Sequence, residues 1–430
     1  MNKFFNLKEH NVSFKSELTA GLTSFFAAVY IIIVNASILS DTGMSLEGQI
    51  VATVLASLVG TLLVAFTSNT PLVIMPGMGV NALFTYTVVK SMGLTYHEAL
   101  GAVFMAGIFF CIIAFTKLST IITEAIPHSL KEAITVGIGL FITFIGLQKS
   151  GLIVSSPTTM VSLGNLTSPE VIAFILTLII TLFLFTKDVP GAFLISIIVG
   201  TLICLGFNVI NLKSINFSGI KLDSYKDLFI GMKFTKFANP SFWIATFSLT
   251  LVLVFENIGL LHGQVNGMLN APHKLKSAFR ATALSTVFCG LLGTSPSVST
   301  VEGTAGIAAG GRTGLSSVVT GLLFLLSLIF IPFIKIIPNA AIAPILIIIG
   351  ALMIKNIENI DFKDFTEGFP AFLTIALIPL TYSIVDGIAF GFIAYPIMKL
   401  FKKQYENVSK PMYIISFAFL MYFVLHYISI

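Results

Sequence analysis

Apolar runs recur along almost the whole chain, each roughly 15–25 residues long and set off by short polar stretches, the length a helix needs to cross a bilayer. They predict spans at about 18–39, 47–67, 97–116, 129–148, 169–186 and 191–208. After a polar stretch at about 209–239 the runs resume at about 240–262, 274–293, 313–334, 338–354, 366–384 and 386–401. A last apolar run, Pro411 to Ile430, reads either as one more helix or as a segment lying along the interface.

Two stretches interrupt the pattern. Pro71 to Met92 reads as a short β-like run, then Pro76-Gly77-Met78-Gly79, then a half-helix. Gly293 to Leu315 opens with Ser295, Ser297 and Ser299 in alternation, which suits an extended segment. It passes through Glu302 and then holds only Gly, Ala, Thr and Ile as far as Gly310, Gly311 and Arg312. Backbone that leaves the helix inside a membrane is tolerated only where protein or a polar cavity satisfies its N–H and C=O groups. A half-helix starting at such a break points its free N–H groups at the cavity.

Counting both broken stretches as crossings gives seven per half, with the third of each half broken. Pro76 and Pro296 stand 220 residues apart, and the spans flanking them keep a similar offset. An odd number of crossings per half inserts the second half upside down, and matching interruptions in two such halves point to a transporter's binding site. The expected fold is an all-α polytopic membrane protein of fourteen transmembrane segments in two inverted repeats of seven. With the N-terminus inside, sixteen of the 24 Lys and Arg fall at inner positions, and five of the remainder lie in the one long loop, in line with the positive-inside rule.

Composition sharpens this reading. The 430 residues are 56% hydrophobic and 10% charged, with a mean hydropathy of +0.98, whereas a soluble domain carries about 25% charged residues. The net charge of +5 is small and calls for no nucleic-acid partner. The polar N-terminus lacks an apolar core with a small-residue cleavage site, so the first span is expected to act as the insertion signal. Cys111, Cys204 and Cys289 lie in apolar runs at spacings that suit no metal site, and they read as core residues. No phosphate loop, nucleophile–base pair or metal-ligand cluster stands out, so neither an enzyme nor a cofactor or metal is expected.

Of nineteen Asp and Glu, Glu256 and Glu302 alone lie well inside predicted spans. A carboxylate there costs on the order of 2.5–3.5 kcal/mol on insertion scales, so it has a partner or a task. Asn257 and Gly259 beside Glu256 let a neighbour come close, and His262 falls toward the inner edge. Asn81 sits one turn into the first half-helix, where it can donate and accept hydrogen bonds. Phe84, a turn further on, and Phe255, beside Glu256, could stack on a flat ligand, although either suits core packing as well. Arg312 ends the second half-helix at the inner surface.

Four runs carry a family resemblance: EGTAGIAAGGRTGL (302–315), MPGMGVNALFTYTVV (75–89), AGLTSFFAAVYIIIVNASIL (20–39) and IPLTYSIVDGIAFGFIAYPIMK (378–399). Together they resemble the hypoxanthine/guanine/adenine permease branch of the nucleobase–ascorbate transporters, over nearly the whole chain. The resemblance implies a core domain of segments one to four (1–128) and eight to eleven (240–336). It implies a gate domain of segments five to seven (129–209) and twelve to fourteen (337–405). An extracytoplasmic loop (210–239) and a hydrophobic tail (406–430) complete the chain. Short β-strands in segments three and ten would cross at the substrate.

The resemblance also implies proton symport of purine bases across the cytoplasmic membrane, with Glu256, Glu302 and Asn81 as substrate-binding residues and a homodimer as a possible assembly in the lipid. Backbone N–H groups near Gly79 and Gly303 would meet the base, and Glu256 or Glu302 would carry the proton. A uracil or xanthine permease of the same family, an anion transporter of the same architecture and a membrane-embedded enzyme acting on lipid are the other readings. The family usually has Asp where Glu256 stands, a second Asp at the position of Leu253, and Ser at the position of Gly303. An added methylene and a lost hydroxyl both reshape a pocket.

Overall fold

The computed structural model describes residues 5–118, 125–210 and 223–428. The extreme ends of the chain and residues 211–222 of the expected 210–239 loop lie outside the described residues. In chain order the main elements are α1 (Phe14–Ala28), α2 (Ile31–Ser40), α3 (Leu46–Ser68), β1 (Ile74–Pro76), α4 (Met78–Ala82), α5 (Tyr96–Phe115) and α6 (His128–Lys149). There follow β2 (Ile153–Ser156), β3 (Met160–Leu163), α7 (Pro169–Thr186), α8 (Ala192–Gly206), α9 (Pro240–Leu261) and α10 (Pro272–Leu292). The chain continues with β4 (Ser297–Ser299), α11 (Gly303–Ala308), α12 (Gly314–Leu326), α13 (Asn339–Ile354), α14 (Phe365–Leu380), α15 (Ile384–Phe401) and α16 (Lys410–Ile428).

The helices start where side chains can take up the free N–H groups of a first turn. Ser45 accepts from Gly48 ahead of α3, and Ser168 accepts from Val171 ahead of α7, where Pro169 opens the helix. Thr95 and Glu98 form a reciprocal capping box at α5. Helix α3 stops at Asn69, which adopts the left-handed conformation at φ 49°, and α10 stops at Gly293 with φ 79°. Among the described residues nine helical stretches are long and apolar enough to cross a membrane, and α8, α14 and α16 are shorter apolar helices. The protein is a multi-pass membrane protein.

Several boundaries differ from the sequence expectation. The first span, expected as one helix over 18–39, loses its regular hydrogen bonding at Val29–Tyr30 and becomes α1 and α2. After α4 the chain continues as a π-helix, Leu83–Ser91, and α9 runs on as another, His262–Met268. The hairpin β2–β3 is absent from the sequence expectation. Its short strands are largely exposed and join through Pro157, Thr158 and Thr159, so they carry no alternation of apolar and polar positions. Of the two readings for 411–430, the structure takes the helix, 19 residues long and packed along α15.

Packing sorts the helices into two groups. Helix α10 lies against α3 and α5, α12 against α1 and α3, and α9 against α5. In the second group α6 packs on α13 and α14, α7 on α8 and α13, and α14 on α15. Contacts between the groups are fewer and include α4 on α6 and α1 on α8. The interrupted segments lie inside the first group, and α4 faces the second.

Candidate functional site

The two interruptions meet. Strands β1 and β4 pair antiparallel, with Ile74 opposite Ser299, Met75 opposite Val298 and Pro76 opposite Ser297. All six residues are buried. Pro76 has no N–H to give, and the Gly77 amide extends the pairing by donating to the Pro296 carbonyl at 3.3 Å. Side chains satisfy the outer edges of this ribbon. Thr61 donates to the Ile74 carbonyl (3.0 Å) and accepts from its amide (3.2 Å). Asn257 Oδ1 accepts from the Ser299 amide (2.8 Å), and Gln264 Nε2 donates to the Thr300 carbonyl (2.6 Å). Non-helical backbone is thus sealed by polar side chains, as an apolar surrounding requires.

The acids stand on either side of the ribbon. Glu256, on α9 beside the strand-holding Asn257, is half-buried, and its Oε1 lies 3.6 Å from the place a Cβ on Gly77 would occupy. That Cβ would also meet Val298 Cγ2 at 2.5 Å, so only glycine lets the strand pass this close. Among the described residues Glu256 has no hydrogen-bond or ion-pair partner. Glu302 is half-buried at the start of α11 and accepts a hydrogen bond from the Tyr30 hydroxyl. Tyr30 sits at the break between α1 and α2, and its ring meets Phe193 of α8 edge-on at 5.0 Å. Neighbouring Val301 is 58% exposed, and Gly259 is exposed too.

The other residues singled out from sequence fall in different surroundings. Asn81 is fully buried, its Oδ1 accepts from Ser295 at 2.6 Å, and its Nδ2 has no partner among the described residues. Phe255 is half-buried with the Lys131 ammonium 5.8 Å from its ring centre. Phe84 is fully buried with its ring edge-on to Tyr96 at 5.2 Å, so its faces are taken up by core packing. Gly79 backs onto Ile138 of α6, and Gly303 onto the Val73 backbone. His262 is exposed. Arg312 donates to the Ile307 and Gly311 carbonyls at 2.7 Å and so closes the end of α11.

Sequence reasoning missed Tyr30 and Asn35 as parts of this constellation, and had Gly77 and Ser295 only as members of the two interruptions. A lone hydroxyl or amide in an apolar run was the available signal, and nothing local distinguishes it from interhelical glue. It also placed Glu17 at a span edge. Glu17 is fully buried instead, because its carboxylate accepts the amides of Arg312 (2.9 Å), Thr313 (3.1 Å) and Ser316 (3.2 Å) and the Ser316 hydroxyl. It serves as an anionic cap on the start of α12. Among the described residues no group of His, Cys, Asp and Glu is arranged to hold a metal ion.

Membrane helices packed in two groups, with two interrupted segments crossing as strands beside two half-buried acids, make this the fold of a membrane transporter. The transmembrane domain of a cyanobacterium bicarbonate transporter, BicA, superposes with a TM-score of 0.66 at 16% identity, covering 88% of this chain and 98% of that one. The murine Solute Carrier 26 family member A9 anion transporter gives 0.66 at 12% identity, covering 91% and 69%. Residues 15–426 match the model of a family described as the Permease family, and the chain belongs to it, among the nucleobase–ascorbate transporters. Nucleobase transporter PlAzg2 of Paenibacillus larvae is 48% identical over 89% of this chain and 76% of its own length. Guanine/hypoxanthine permease PbuO of Bacillus subtilis is 39% identical (94% and 96% covered), and adenine permease AdeP of Escherichia coli is 35% identical (98% and 95% covered).

Proposed function

We propose that this protein carries purine nucleobases (hypoxanthine, guanine or adenine) into the cell across the cytoplasmic membrane, coupled to protons, by alternating access. The observation that carries the reading is the Glu256 carboxylate, without a protein partner among the described residues, set beside Gly77 at the strand crossing. A purine base is flat and presents N–H donors along its edges, and hydrogen bonds to an ionised acceptor are the strong kind. Glu256 takes one edge of the base. Glu302, held by Tyr30, anchors a second edge or the strand itself. Asn81 contacts the base or a neighbour of it, Phe255 lies over its face, and amides near Gly79 and Gly303 complete the site. One of the two acids, Glu256 foremost, takes up and releases the coupled proton. The purines named in two relatives, and the nucleobase named in a third, support the substrate class.

In this reading segments 1–128 and 240–336 form a core domain and 129–209 and 337–405 a gate, within fourteen segments of two inverted repeats, and the N-terminus is cytoplasmic. The outer ends of the two groups are tied by Lys149 on α6, which pairs with Asp41 at 2.9 Å, and by Tyr86, which donates to Asp41 at 2.5 Å and meets Tyr382 edge-on at 5.4 Å. An anion cargo is disfavoured by the two acids beside the crossing. The test is uptake of labelled hypoxanthine, guanine and adenine by cells or proteoliposomes. Glu256→Gln and Glu302→Gln are each expected to abolish it. Full transport by either variant, or no uptake of any purine by the wild type, overturns the reading.

A further inference from the structure

We propose that Ser295 is a positioning residue: it fixes the Asn81 side-chain amide with its NH2 group turned to the ligand, so that Asn81 reads a hydrogen-bond acceptor on the base. This rests on the purine reading above and names the edge that Asn81 recognises.

The orientation follows from a chain of hydrogen bonds behind the site. Thr53 Oγ1 spends its hydrogen on the Gln49 carbonyl at 2.7 Å, so its oxygen is left to accept. Asn35 Nδ2 donates to that oxygen at 2.8 Å and also reaches Thr294 Oγ1 at 3.3 Å. The Asn35 oxygen is thereby turned to Ser295, 3.3 Å away. Ser295 has one hydrogen and two candidate acceptors. Its contact with Asn81 Oδ1 is 2.6 Å, well inside the 3.3 Å to the Asn35 oxygen and the ordinary length of an O–H···O bond. The hydrogen goes to Asn81, and the Asn81 oxygen is occupied.

The amide's other end is the informative one. Asn81 is fully buried, and its Nδ2 has no acceptor among the described residues. A dry, unmet donor is costly and rare in folded proteins. Asn81 lies one turn beyond Gly77, to whose carbonyl its backbone N–H donates at 2.8 Å, and Gly77 is the residue that borders the Glu256 carboxylate. One short segment therefore joins a carboxylate that only accepts to an amide held as a donor. That pair matches a base edge with an N–H near a ring nitrogen or an exocyclic oxygen. A turned amide would place two acceptors together and read a different edge.

The experiment uses the full-length protein in proteoliposomes, with labelled hypoxanthine competed by 3-deazahypoxanthine, 7-deazahypoxanthine and purine, which lacks the 6-oxygen. The wild type is expected to reject at least one of these by about tenfold or more, since a site built to bond an acceptor rejects the analogue lacking it. Ser295→Ala is expected to shrink that ratio to within about threefold while hypoxanthine still enters. In an Asn81→Ala background Ser295→Ala is expected to change the ratio no further, since the two act as one unit. Asn81→Asp, which keeps an acceptor for Ser295 and has no donor, must lose the discrimination, and it tests the idea even if Ser295→Ala fails to fold. Undiminished discrimination in Ser295→Ala or in Asn81→Asp overturns the assignment while leaving purine transport standing. A wild type that takes up no purine defeats the parent reading and this one with it.

Discussion

The Tyr30 hydroxyl donates to the Glu302 carboxylate, joining the break in the first span to the start of α11. The Tyr30 ring also rests on Phe193 of α8, so one side chain touches both the acid and the opposite helix group. Removing only the hydroxyl with Tyr30→Phe keeps the ring contact and deletes a charge-assisted bond worth about 1.5–3 kcal/mol. Apparent affinity for the transported base is expected to fall by about tenfold or more, with expression and gel-filtration profile unchanged. Unchanged uptake kinetics would show that the bond has no part in binding.

Gly77 is where the strands and Glu256 come closest. Gly77→Ala puts a methyl 2.5 Å from the Val298 side-chain atom Cγ2, at the end of the strand pair. Uptake is expected to drop by about tenfold or more, an overpacking penalty of about 1–3 kcal/mol. Adding Val298→Ala makes room and is expected to restore a large part of it. Failure of the double variant to recover more than the single one would mean that the strand contact is not the limiting one.

Glu17 predicts a stability effect. Glu17→Ala strands three amides at the start of α12 and is expected to cost about 1–3 kcal/mol or more. A lower midpoint of thermal aggregation in detergent, by several degrees, is the measurable consequence, and an unaltered midpoint would contradict the cap.

The Lys149–Asp41 pair closes the outer side in the proposed cycle. Lys149→Ala is expected to raise, by a few-fold, the labelling of Ser37→Cys by a membrane-impermeant maleimide applied from outside, in a background lacking Cys111, Cys204 and Cys289. Ser37 is the right reporter because its hydroxyl and carbonyl both lie 3.4 Å from Lys149 Nζ. Equal labelling in both backgrounds would remove the latch from the cycle.

Asp364 predicts an acid limb. The amide and hydroxyl of Thr366, with Lys402 and Lys399 beyond them, hold its carboxyl well below the usual carboxylate range. A folded-state value below the unfolded one adds stability that is present above about pH 4 and is lost as pH falls through the folded-state value. Thermal midpoints measured on acidification are expected to decline less steeply in Asp364→Asn than in the wild type.

The spans were legible because each apolar run had to be long enough to cross, and length survives without any knowledge of neighbours. The interruptions were legible for the converse reason: Pro76-Gly77 and Ser295 to Ser299 cannot face lipid as helix. Partners were not legible. Glu17 looked like a span-edge acid because the amides it caps begin at Arg312, 295 residues on. Tyr30 looked like one more aromatic residue among apolar ones until α11 was set against it. Phe84 read as either a stacking face or core, and nothing local could decide; it is fully buried with its ring against Tyr96. The β2–β3 hairpin carries no periodic apolar signal to read.

The pairing of Ile74 with Ser299 also bears on biogenesis. The residues that meet at the crossing are made far apart in time, because the rest of the first half and the start of the second must leave the ribosome before β4 exists. Until then β1 is an open edge inside the membrane, with Thr61 alone to cover part of its backbone. A nascent or truncated chain ending before residue 297 has no complete crossing, and quality-control proteases would meet it as an unfinished product rather than as a weak transporter.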